Sequence, residues 1–284
     1  MKRVAFQGEL GAYSELATYE YFGHNVRVVP RPTFAGIYVS VARGEVEHGV
    51  IPIENSLTGS IHENYDLLLE HDLVITGEIK LRIVHNLIVN SGTRLSDIKR
   101  VYSHPQALSQ CKDFLSQLRN VEQISMYDTA GAARIIKENG NKEEAAIASE
   151  QAARDHGLEI IACGIESNHM NFTRFLILSR TLEEEAKDSK TSIVFSLKNI
   201  PGALFKSLSV FALRDIDLYK IESRPIPGSP WAYMFYLDFS GDIRQDVSKC
   251  ALAHLEEIAN FVKVLGSYKK GDEVTSRVQE RDGI

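Results

Sequence analysis

Polar side chains cluster where three predicted strands run into helices. The segments are PIENSLTGS (52–60), SHPQ (103–106, with Gln110 one turn further on) and DTAG (128–131). In open α/β sheets, ligands bind at the carboxyl ends of strands, where helix N-termini present free N–H groups and a positive dipole end. A carboxylate at such an end gains about 0.3–2 kcal/mol. Ser, Thr, Asn and Asp are also ordinary helix caps, but three such junctions together favour a site for a small anion.

A fourth polar element interrupts the apolar strand FTRFLIL (172–178). Alternation along a strand places Thr173 and Phe175 on one face and Arg174 on the other. The Arg174 guanidinium could hold a substrate carboxylate through two parallel hydrogen bonds, or it could pair with a surface carboxylate. Because alternation turns Arg174 away from Thr173, a supporting role is favoured for it.

The sequence lacks the motifs of several well-defined enzyme classes. It contains no GxxxxGK[ST] loop and no GxGxxG, GxSxG or HExxH pattern. The nine histidines show no metal-ligand spacing, and only His85 and His104 stand at predicted strand ends or turns. We therefore expect chemistry without a metal and without a cofactor.

Up to about residue 180, short apolar strands alternate with helical segments. That alternation predicts a mostly parallel sheet covered by helices. The segment Leu73–Asn90 is long and extended, with breaks at Gly77 and Asn86, as expected of a crossover between two lobes. The strand–helix rhythm restarts at Lys99. We predict an α/β domain over residues 1–180, made of two lobes with a cleft between them.

A charged segment separates this region from a second predicted domain. Residues 181–190 (TLEEEAKDSK) have almost no apolar side chains and are typical of a linker. Residues 191–270 follow the order βαββαβ, the ferredoxin-like arrangement of an α+β domain. Residues 271–284 are a polar tail that is expected to fray.

Bulk properties narrow the range of partners. A chain of 284 residues exceeds the usual single core, and its net charge of −6 opposes a basic face for nucleic acid or anionic membrane. Its three cysteines lie far apart, which predicts reduced thiols rather than disulfides. The N-terminal MKRVAFQGEL reads as neither a signal peptide nor a membrane span. The expectation is a cytoplasmic protein with no nucleic-acid and no membrane partner.

The order of the polar segments resembles that of prephenate dehydratase. The matching segments are IPIENSLTG (51–59), SHPQALSQC (103–111), DTAGAA (128–133) and NFTRF (171–175), while IPGALFKSL (200–208) and KIESRP (220–225) resemble an ACT domain. The resemblance implies a two-lobed, periplasmic-binding-protein-like (type II) catalytic domain and an ACT regulatory domain. It also implies a lyase that converts prephenate to phenylpyruvate in L-phenylalanine biosynthesis and is inhibited by L-phenylalanine. No chorismate-mutase-like segment precedes Val4, so the resemblance is to the monofunctional form.

The same resemblance suggests roles for individual residues. Thr173 would be catalytic, as the donor to the leaving hydroxyl, either directly or through a relayed proton. The residues that would bind the substrate are Glu54, Asn55, Ser56, Ser103, Gln110, Arg174 and Phe175. Among them, Glu54 would hold its loop and Phe175 would shape a pocket for the ring. Forming an aromatic ring drives the reaction, so no redox cofactor or metal is required.

The ACT-like region implies an amino-acid site at a subunit interface. The residues that match it are Gly202, Ala203, Leu204, Glu222, Ser223 and Arg224. Such a site requires a homodimer or a homotetramer, and the sequence does not separate the two. Two other functions stay open: an arogenate dehydratase, acting on the amino analogue, and a two-lobed regulator that binds a small molecule without catalysis.

Overall fold

A computed structural model describes residues 1–182, 188–226 and 228–275, which fall into two compact units. The first unit holds residues 1–70, 79–176 and the segment that begins at Asp272, and the second holds residues 71–78 and 177–271. The strands are β1 (Lys2–Gln7), β2 (Val26–Arg31), β3 (His48–Asn55), β4 (Gly59–Ser60), β5 (Val74–Arg82), β6 (Asn86–Val89), β7 (Arg100–Ser103), β8 (Glu122–Ser125), β9 (Glu144–Ala148), β10 (Glu159–Cys163), β11 (Phe172–Ser179), β12 (Ser189–Leu197), β13 (Leu218–Pro225), β14 (Tyr233–Ser240), β15 (Ala259–Lys269) and β16 (Glu273–Thr275). The helices are α1 (Tyr13–Phe22), α2 (Phe34–Ala42), α3 (His62–Glu70), α4 (Pro105–Gln110), α5 (Lys112–Leu115), α6 (Thr129–Asn139), α7 (Glu150–His156), α8 (Ala203–Ala212) and α9 (Asp246–Ile258), with a 3-10 turn at Leu95–Asp97.

The first sheet has the strand order β16-β5-β11-β3-β1-β2, and the short β4 pairs with β3. Strand β1 is parallel to both β2 and β3. Its residues Val4, Ala5 and Phe6 are completely buried. A continuous apolar run of this kind is what a parallel strand covered on both faces requires, and α1 and α2 pack against β1.

The second sheet has the order β10-β6-β9-β7-β8. It is mixed, because β7 is parallel to β8 and β9 whereas β6 is antiparallel to β9 and β10. Apolar clusters cover both faces, one around Leu87 and Ile147 and the other around Ile88 and Ala146. The two-lobed arrangement is thus present within the first unit, although the prediction of mostly parallel pairing fails for β6 and β10.

Two helix starts carry N-cap residues that the sequence predicts, since Thr and Asp are favoured at that position: Thr33, and either Asp128 or Thr129. The Thr33 hydroxyl accepts a hydrogen bond from the Gly36 amide (3.1 Å), and the Asp128 carboxylate accepts one from the Gly131 amide (2.5 Å). The segment 105–118, which the sequence predicts to be one helix with Pro105 at its first position, forms two helices, α4 and α5. The Gln110 carbonyl accepts a hydrogen bond from the Ser167 amide (2.7 Å), a contact from outside the helix at the point where α4 ends.

The second unit contains an antiparallel sheet of order β13-β14-β12-β15. Chain order is β12-α8-β13-β14-α9-β15, which confirms the predicted βαββαβ arrangement. Its core lies around Phe195, Phe211 and Phe239, each fully buried.

The predicted linker and tail need correction. Within 181–190, residues 183–187 lie outside the described part, while Ser189 and Lys190 are buried in β12. Lys190 can be buried because its Nζ atom lies 2.8 Å from a Glu78 oxygen and 3.3 Å from an Asp238 oxygen. The start of the predicted fraying tail is also ordered, since β16 pairs in parallel with β5. Residues 276–284 lie outside the description.

Candidate active site

A cavity of about 310 Å³ lies in the first unit, lined from both of its lobes. Its volume is at the lower end of the range typical of small-molecule sites, roughly 300–1,000 Å³. The first lobe contributes Asn55, Thr173 and Phe175, and the second contributes Gln110 and Asp128. Hence four of the predicted site residues, Asn55, Gln110, Thr173 and Phe175, meet at one cavity.

Thr173 is positioned by Asn55 across the first sheet. The Asn55 Nδ2 atom donates to Thr173 Oγ1 (3.0 Å) and to Asn171 Oδ1 (2.7 Å). The Asn55 Oδ1 atom accepts from the backbone amides of Leu57 (3.0 Å) and Thr58 (3.1 Å). Because a backbone amide can only donate, these two bonds identify the oxygen of the Asn55 side chain. Thr173 Oγ1 is therefore an acceptor towards Asn55, which leaves its own proton available to a substrate.

Gln110 offers a second donor. Its Oε1 atom accepts from Asn171 Nδ2 (3.1 Å) and lies 2.9 Å from His85 Nε2. Its Nε2 atom is buried and has no hydrogen-bond partner among the described residues. A buried, unpaired donor costs about 1–3 kcal/mol, a cost that a bound acceptor removes.

Arg174 lies on the face of β11 opposite Thr173, as alternation predicts. Its Nη1 atom is 3.4 Å from Glu54 Oε1, and its side chain is almost fully buried. Neither Arg174 nor Glu54 lines the cavity. The structure therefore places this pair outside the cavity lining, where it joins the end of β3 to β11. The substrate-binding role of both residues stays a prediction.

Two predicted substrate-binding serines are also not brought to the cavity. The Ser103 side chain is completely buried, and its hydroxyl donates to the Ile147 carbonyl (2.6 Å). The Ser56 hydroxyl donates to the Met170 carbonyl (2.7 Å) and accepts from the Phe172 amide (2.9 Å). Both serines use their hydroxyls to join neighbouring backbone segments, so the substrate-binding role expected for them is not supported.

The cavity wall carries little positive charge. No Lys or Arg lines it within the described ranges, and Asp128 is its one carboxylate. Burial raises the pKa of Asp128, while the hydrogen bond from the Gly131 amide opposes that shift. Burial lowers the pKa of both His85 and His104. Binding of an anion here depends on N–H and O–H donors rather than on a cationic side chain.

The hydrogen-bond network at the cavity includes three residues that the predicted site did not contain: Asn171, His85 and Tyr13. Asn171 stands in the NFTRF segment, so its position was visible but its role was not. His85 was singled out only for its place near a strand end. Tyr13, whose hydroxyl lies 2.9 Å from His85 Nδ1, gave no signal in the sequence.

Polar contacts join the two lobes around the cavity. The Ser149 hydroxyl donates to the Gly11 carbonyl (2.6 Å), and Gln106 Nε2 donates to Thr58 Oγ1 (2.8 Å). The second contact joins two of the polar junctions that the sequence indicated, whereas Ser149 and Gly11 lie outside them. They hold the walls of the cavity together in this structure.

A smaller cavity of about 140 Å³ lies in the second unit. Ala203 and Leu204 line it, together with Trp231 and Phe235. Gly202 precedes them as the N-cap of α8, with φ of 77° and no side-chain cap. The other expected ligand residues, Glu222, Ser223 and Arg224, lie on the edge strand β13 and are not among the lining residues.

Two features are absent from the described part of the chain. No group of three or more His, Cys, Asp and Glu side chains there is arranged to hold a metal ion. None of the helices described is both long enough and apolar enough to span a membrane.

Comparison with known proteins assigns the chain to a family. The prephenate dehydratase family model matches residues 4–183. The chain belongs to the prephenate dehydratase family. Among curated proteins, arogenate dehydratase/prephenate dehydratase 2 of Arabidopsis thaliana is 48% identical over 277 residues, covering 94% of this chain and 72% of the relative.

Solved structures of the family share the fold. Prephenate dehydratase from Arthrobacter aurescens, determined in complex with L-Phe, matches with a TM-score of 0.86 and 31% identity over 94% of this chain and 90% of its own. This match confirms the periplasmic-binding-protein-like fold of the catalytic region. A second structure, named GqqA and described as a quorum quenching acylase, matches with a TM-score of 0.87 and 34% identity over 95% of this chain and 98% of its own.

The relatives overturn one expectation. The Arabidopsis thaliana relative is chloroplastic. The prediction of a cytoplasmic location is therefore wrong. Composition and the N-terminal residues do not report the compartment in which such an enzyme works.

Proposed function

We propose that this chain is a lyase that converts prephenate to phenylpyruvate, with catalysis in residues 1–180 and regulation in residues 191–270. The observation that carries the proposal is the direction of the hydrogen bond at Thr173. Since Asn55 donates to Thr173 Oγ1, the threonine proton faces the cavity without a competing acceptor among the described residues.

The reaction asks for one well-placed donor. The C–O bond to the ring hydroxyl breaks with its electron pair on oxygen, and that oxygen takes up a proton and leaves as water. The C–C bond to the ring carboxylate breaks, and its electron pair completes the aromatic ring as CO2 departs. A positioned acid or donor at the leaving oxygen contributes about 10²–10⁴-fold, or roughly 3–5 kcal/mol.

The remaining groups of the cavity match the rest of the substrate. The buried Gln110 NH2 group is a donor for a substrate carboxylate or for the leaving oxygen. Phe175 is 2% exposed and gives an apolar wall for the ring. Thr129, at the N-terminus of α6, also lines the cavity, so the positive end of that helix dipole faces an anionic ligand.

Arogenate is the second candidate substrate, and Asp128 favours it. Arogenate carries an ammonium group where prephenate has a keto group, and a cavity with one carboxylate and no lysine or arginine in its described lining suits an ammonium. We expect Asp128→Asn to lower kcat/KM for arogenate about tenfold relative to that for prephenate, because a charge-assisted contact contributes about 1.5–3 kcal/mol. Asparagine keeps the helix-capping oxygen. An unchanged ratio of the two kcat/KM values would show that Asp128 does not select the substrate.

The second unit is proposed to bind L-phenylalanine and to inhibit the enzyme. Its cavity of about 140 Å³ is close to the volume of about 150 Å³ that accepts benzene in an engineered protein core. Helix α8 starts beside it without a side-chain cap. The Ala203 amide donates to the Ile200 carbonyl (3.2 Å), so a carboxylate would be bound by the next amides of the first turn. The L-Phe complex of the Arthrobacter aurescens relative supports this assignment. An ACT-type site shared between subunits implies a homodimer or homotetramer.

Amide hydrolysis, suggested by the relative described as an acylase, is less well supported. A nucleophilic hydroxyl needs an adjacent base. The partner of Thr173 Oγ1 is the NH2 group of Asn55, which cannot accept a proton from it. The cavity therefore favours hydrogen-bond donation over nucleophilic attack.

One assay tests the whole proposal. Purified protein is incubated with prephenate, with arogenate and with an N-acyl amide, each with and without excess L-phenylalanine. We expect phenylpyruvate from prephenate or phenylalanine from arogenate, and lower rates from prephenate when L-phenylalanine is present. If the protein converts neither prephenate nor arogenate, the dehydratase proposal is refuted. A rate that does not change with L-phenylalanine would refute only the regulatory part.

A further inference from the structure

A continuous chain of side-chain hydrogen bonds links the two lobes beneath the cavity. It runs from Asn55 to Asn171 (2.7 Å), to Gln110 (3.1 Å), to His85 (2.9 Å) and to Tyr13 (2.9 Å). All five side chains belong to the first unit, and all except Asn171 line the cavity. Sequence separations as large as 116 residues make this a product of the tertiary fold.

The direction of the chain is set at its Asn55 end. The Asn55 oxygen is fixed by the backbone amides of Leu57 and Thr58, so its NH2 group must donate to Asn171 Oδ1. The Asn171 NH2 group then faces Gln110, and Gln110 must present its oxygen. Each amide can satisfy its neighbours in one orientation only.

The same constraint reaches His85. The Gln110 oxygen can only accept, so the imidazole must carry a proton on Nε2 to bond with it. His85 is 2% exposed, and burial lowers its pKa, so the ring holds one proton at neutral pH. Its Nδ1 atom is then an acceptor, 2.9 Å from the Tyr13 hydroxyl oxygen. The single Tyr13 proton is donated to the Val84 carbonyl (2.7 Å), so this end of the chain by itself favours Nδ1–H, and the Nε2–H form requires that proton to serve both acceptors.

We propose that His85 is a positioning residue whose Nε2–H tautomer is specified by the turn at residues 55–58 and holds Gln110 with its NH2 group towards the substrate. With the opposite tautomer, a nitrogen lone pair would face the Gln110 oxygen, and the amide would turn its oxygen into the cavity. The consequence for activity rests on the proposed function, whereas the tautomer itself does not.

The tautomer is measured by ¹⁵N NMR of histidine-labelled protein, with the His85 signals assigned from their loss in His85→Gln. We expect Nε2–H in the wild type. In Asn55→Asp, a carboxylate oxygen replaces the first donor, so every amide in the chain must reverse and His85 should become Nδ1–H. Asn168→Asp, a control on an exposed residue outside the chain, should leave Nε2–H unchanged. A wild-type His85 that carries its proton on Nδ1 overturns the inference, even if Asn55→Asp does not fold.

The positioning role is tested by a double-mutant cycle on the preferred substrate. His85→Leu should lower kcat/KM about tenfold, the effect of one lost hydrogen bond of about 1.4 kcal/mol. His85→Gln, which can return an N–H to the Gln110 oxygen, should recover most of that loss. In a Gln110→Leu background the His85→Leu change should have no further effect.

The possible failures are distinguishable. An equal loss from His85→Leu in both backgrounds would show a merely structural role and refute positioning through Gln110. A wild-type protein that is inactive on both prephenate and arogenate would refute the proposed function, while the NMR result would still decide the tautomer.

Discussion

Replacing Thr173 with valine separates the chemical role of its hydroxyl from its place in the fold. Valine has nearly the same shape as threonine and is equally suited to a strand. The exchange therefore leaves the packing of β11 in place and removes one oxygen and one proton. Thr173 is 9% exposed, so no bulk water replaces the lost group freely.

Two effects of different size are expected from Thr173→Val. The barrier should rise by roughly 3–5 kcal/mol, because the donor to the leaving hydroxyl is lost, and kcat should fall about 10²–10⁴-fold. The free energy of unfolding should fall by about 1–3 kcal/mol, because one N–H of Asn55 loses its acceptor inside the protein. Thr173→Ala should show the same loss of turnover while still folding.

Thr173→Ser is the matched control. It keeps the hydroxyl and removes one methyl group, which costs about 0.8 kcal/mol of stability for a buried methylene-sized group. Its kcat should stay within about tenfold of the wild type. Initial rates of product formation at saturating substrate and urea unfolding curves for the wild type and the three variants provide the comparison. A valine variant that turns over at the wild-type rate would refute the donor role, and a serine variant as slow as valine would show that shape rather than the hydroxyl matters.

Three further outcomes follow from contacts outside the chemistry. Gly11→Ala should lower stability by about 1–3 kcal/mol in urea melts and reduce turnover, because φ is +89° and the new Cβ would lie 2.7 Å from the backbone of α7; unchanged melts would contradict this. Lys190→Met should cost about 3–5 kcal/mol by the same measurement, because it removes the Lys190 ammonium from its buried ion pair with Glu78; a loss below 1 kcal/mol would contradict it. The hydrogen bond from Arg3 lowers the pKa of Glu47 to about 2, so the stability that Glu47 contributes should be present above pH ~4.5 and be lost as pH falls towards 2. Thermal melts of Glu47→Gln against wild type should therefore differ at pH 6, by less than about 1 kcal/mol for so exposed a pair, and coincide near pH 2; a difference that persists at pH 2 would refute the assignment.

Local features of the chain were enough to predict much of the fold. Strand and helix periodicity, together with caps such as Thr33 and Asp128, depend on neighbours within a few residues, and the βαββαβ order of the second unit follows from them. Alternation along β11 likewise predicted that Thr173 and Phe175 would share a face and that Arg174 would not. These features are readable because the geometry of one strand or helix turn is set by its own residues.

Only the tertiary structure decided which polar side chains face the cavity. Ser103 and Asn55 both stand at polar strand-to-helix junctions in the sequence. In the structure, the Ser103 hydroxyl donates to the Ile147 carbonyl, whereas the Asn55 side chain orients Thr173. Burial of Lys190 in β12 was equally invisible, because it depends on carboxylates far away in the chain.

The sequence by itself determined the elements, their order and the family of the chain, all of which rest on local patterns and ordered motifs. The tertiary structure determined which groups of the site are paired. The Thr173 hydroxyl accepts from Asn55, and the Gln110 NH2 group is buried without a partner among the described residues. The physical reason is that a hydrogen bond has a direction, and here the direction is imposed by two backbone amides on side chains that meet only when the chain folds.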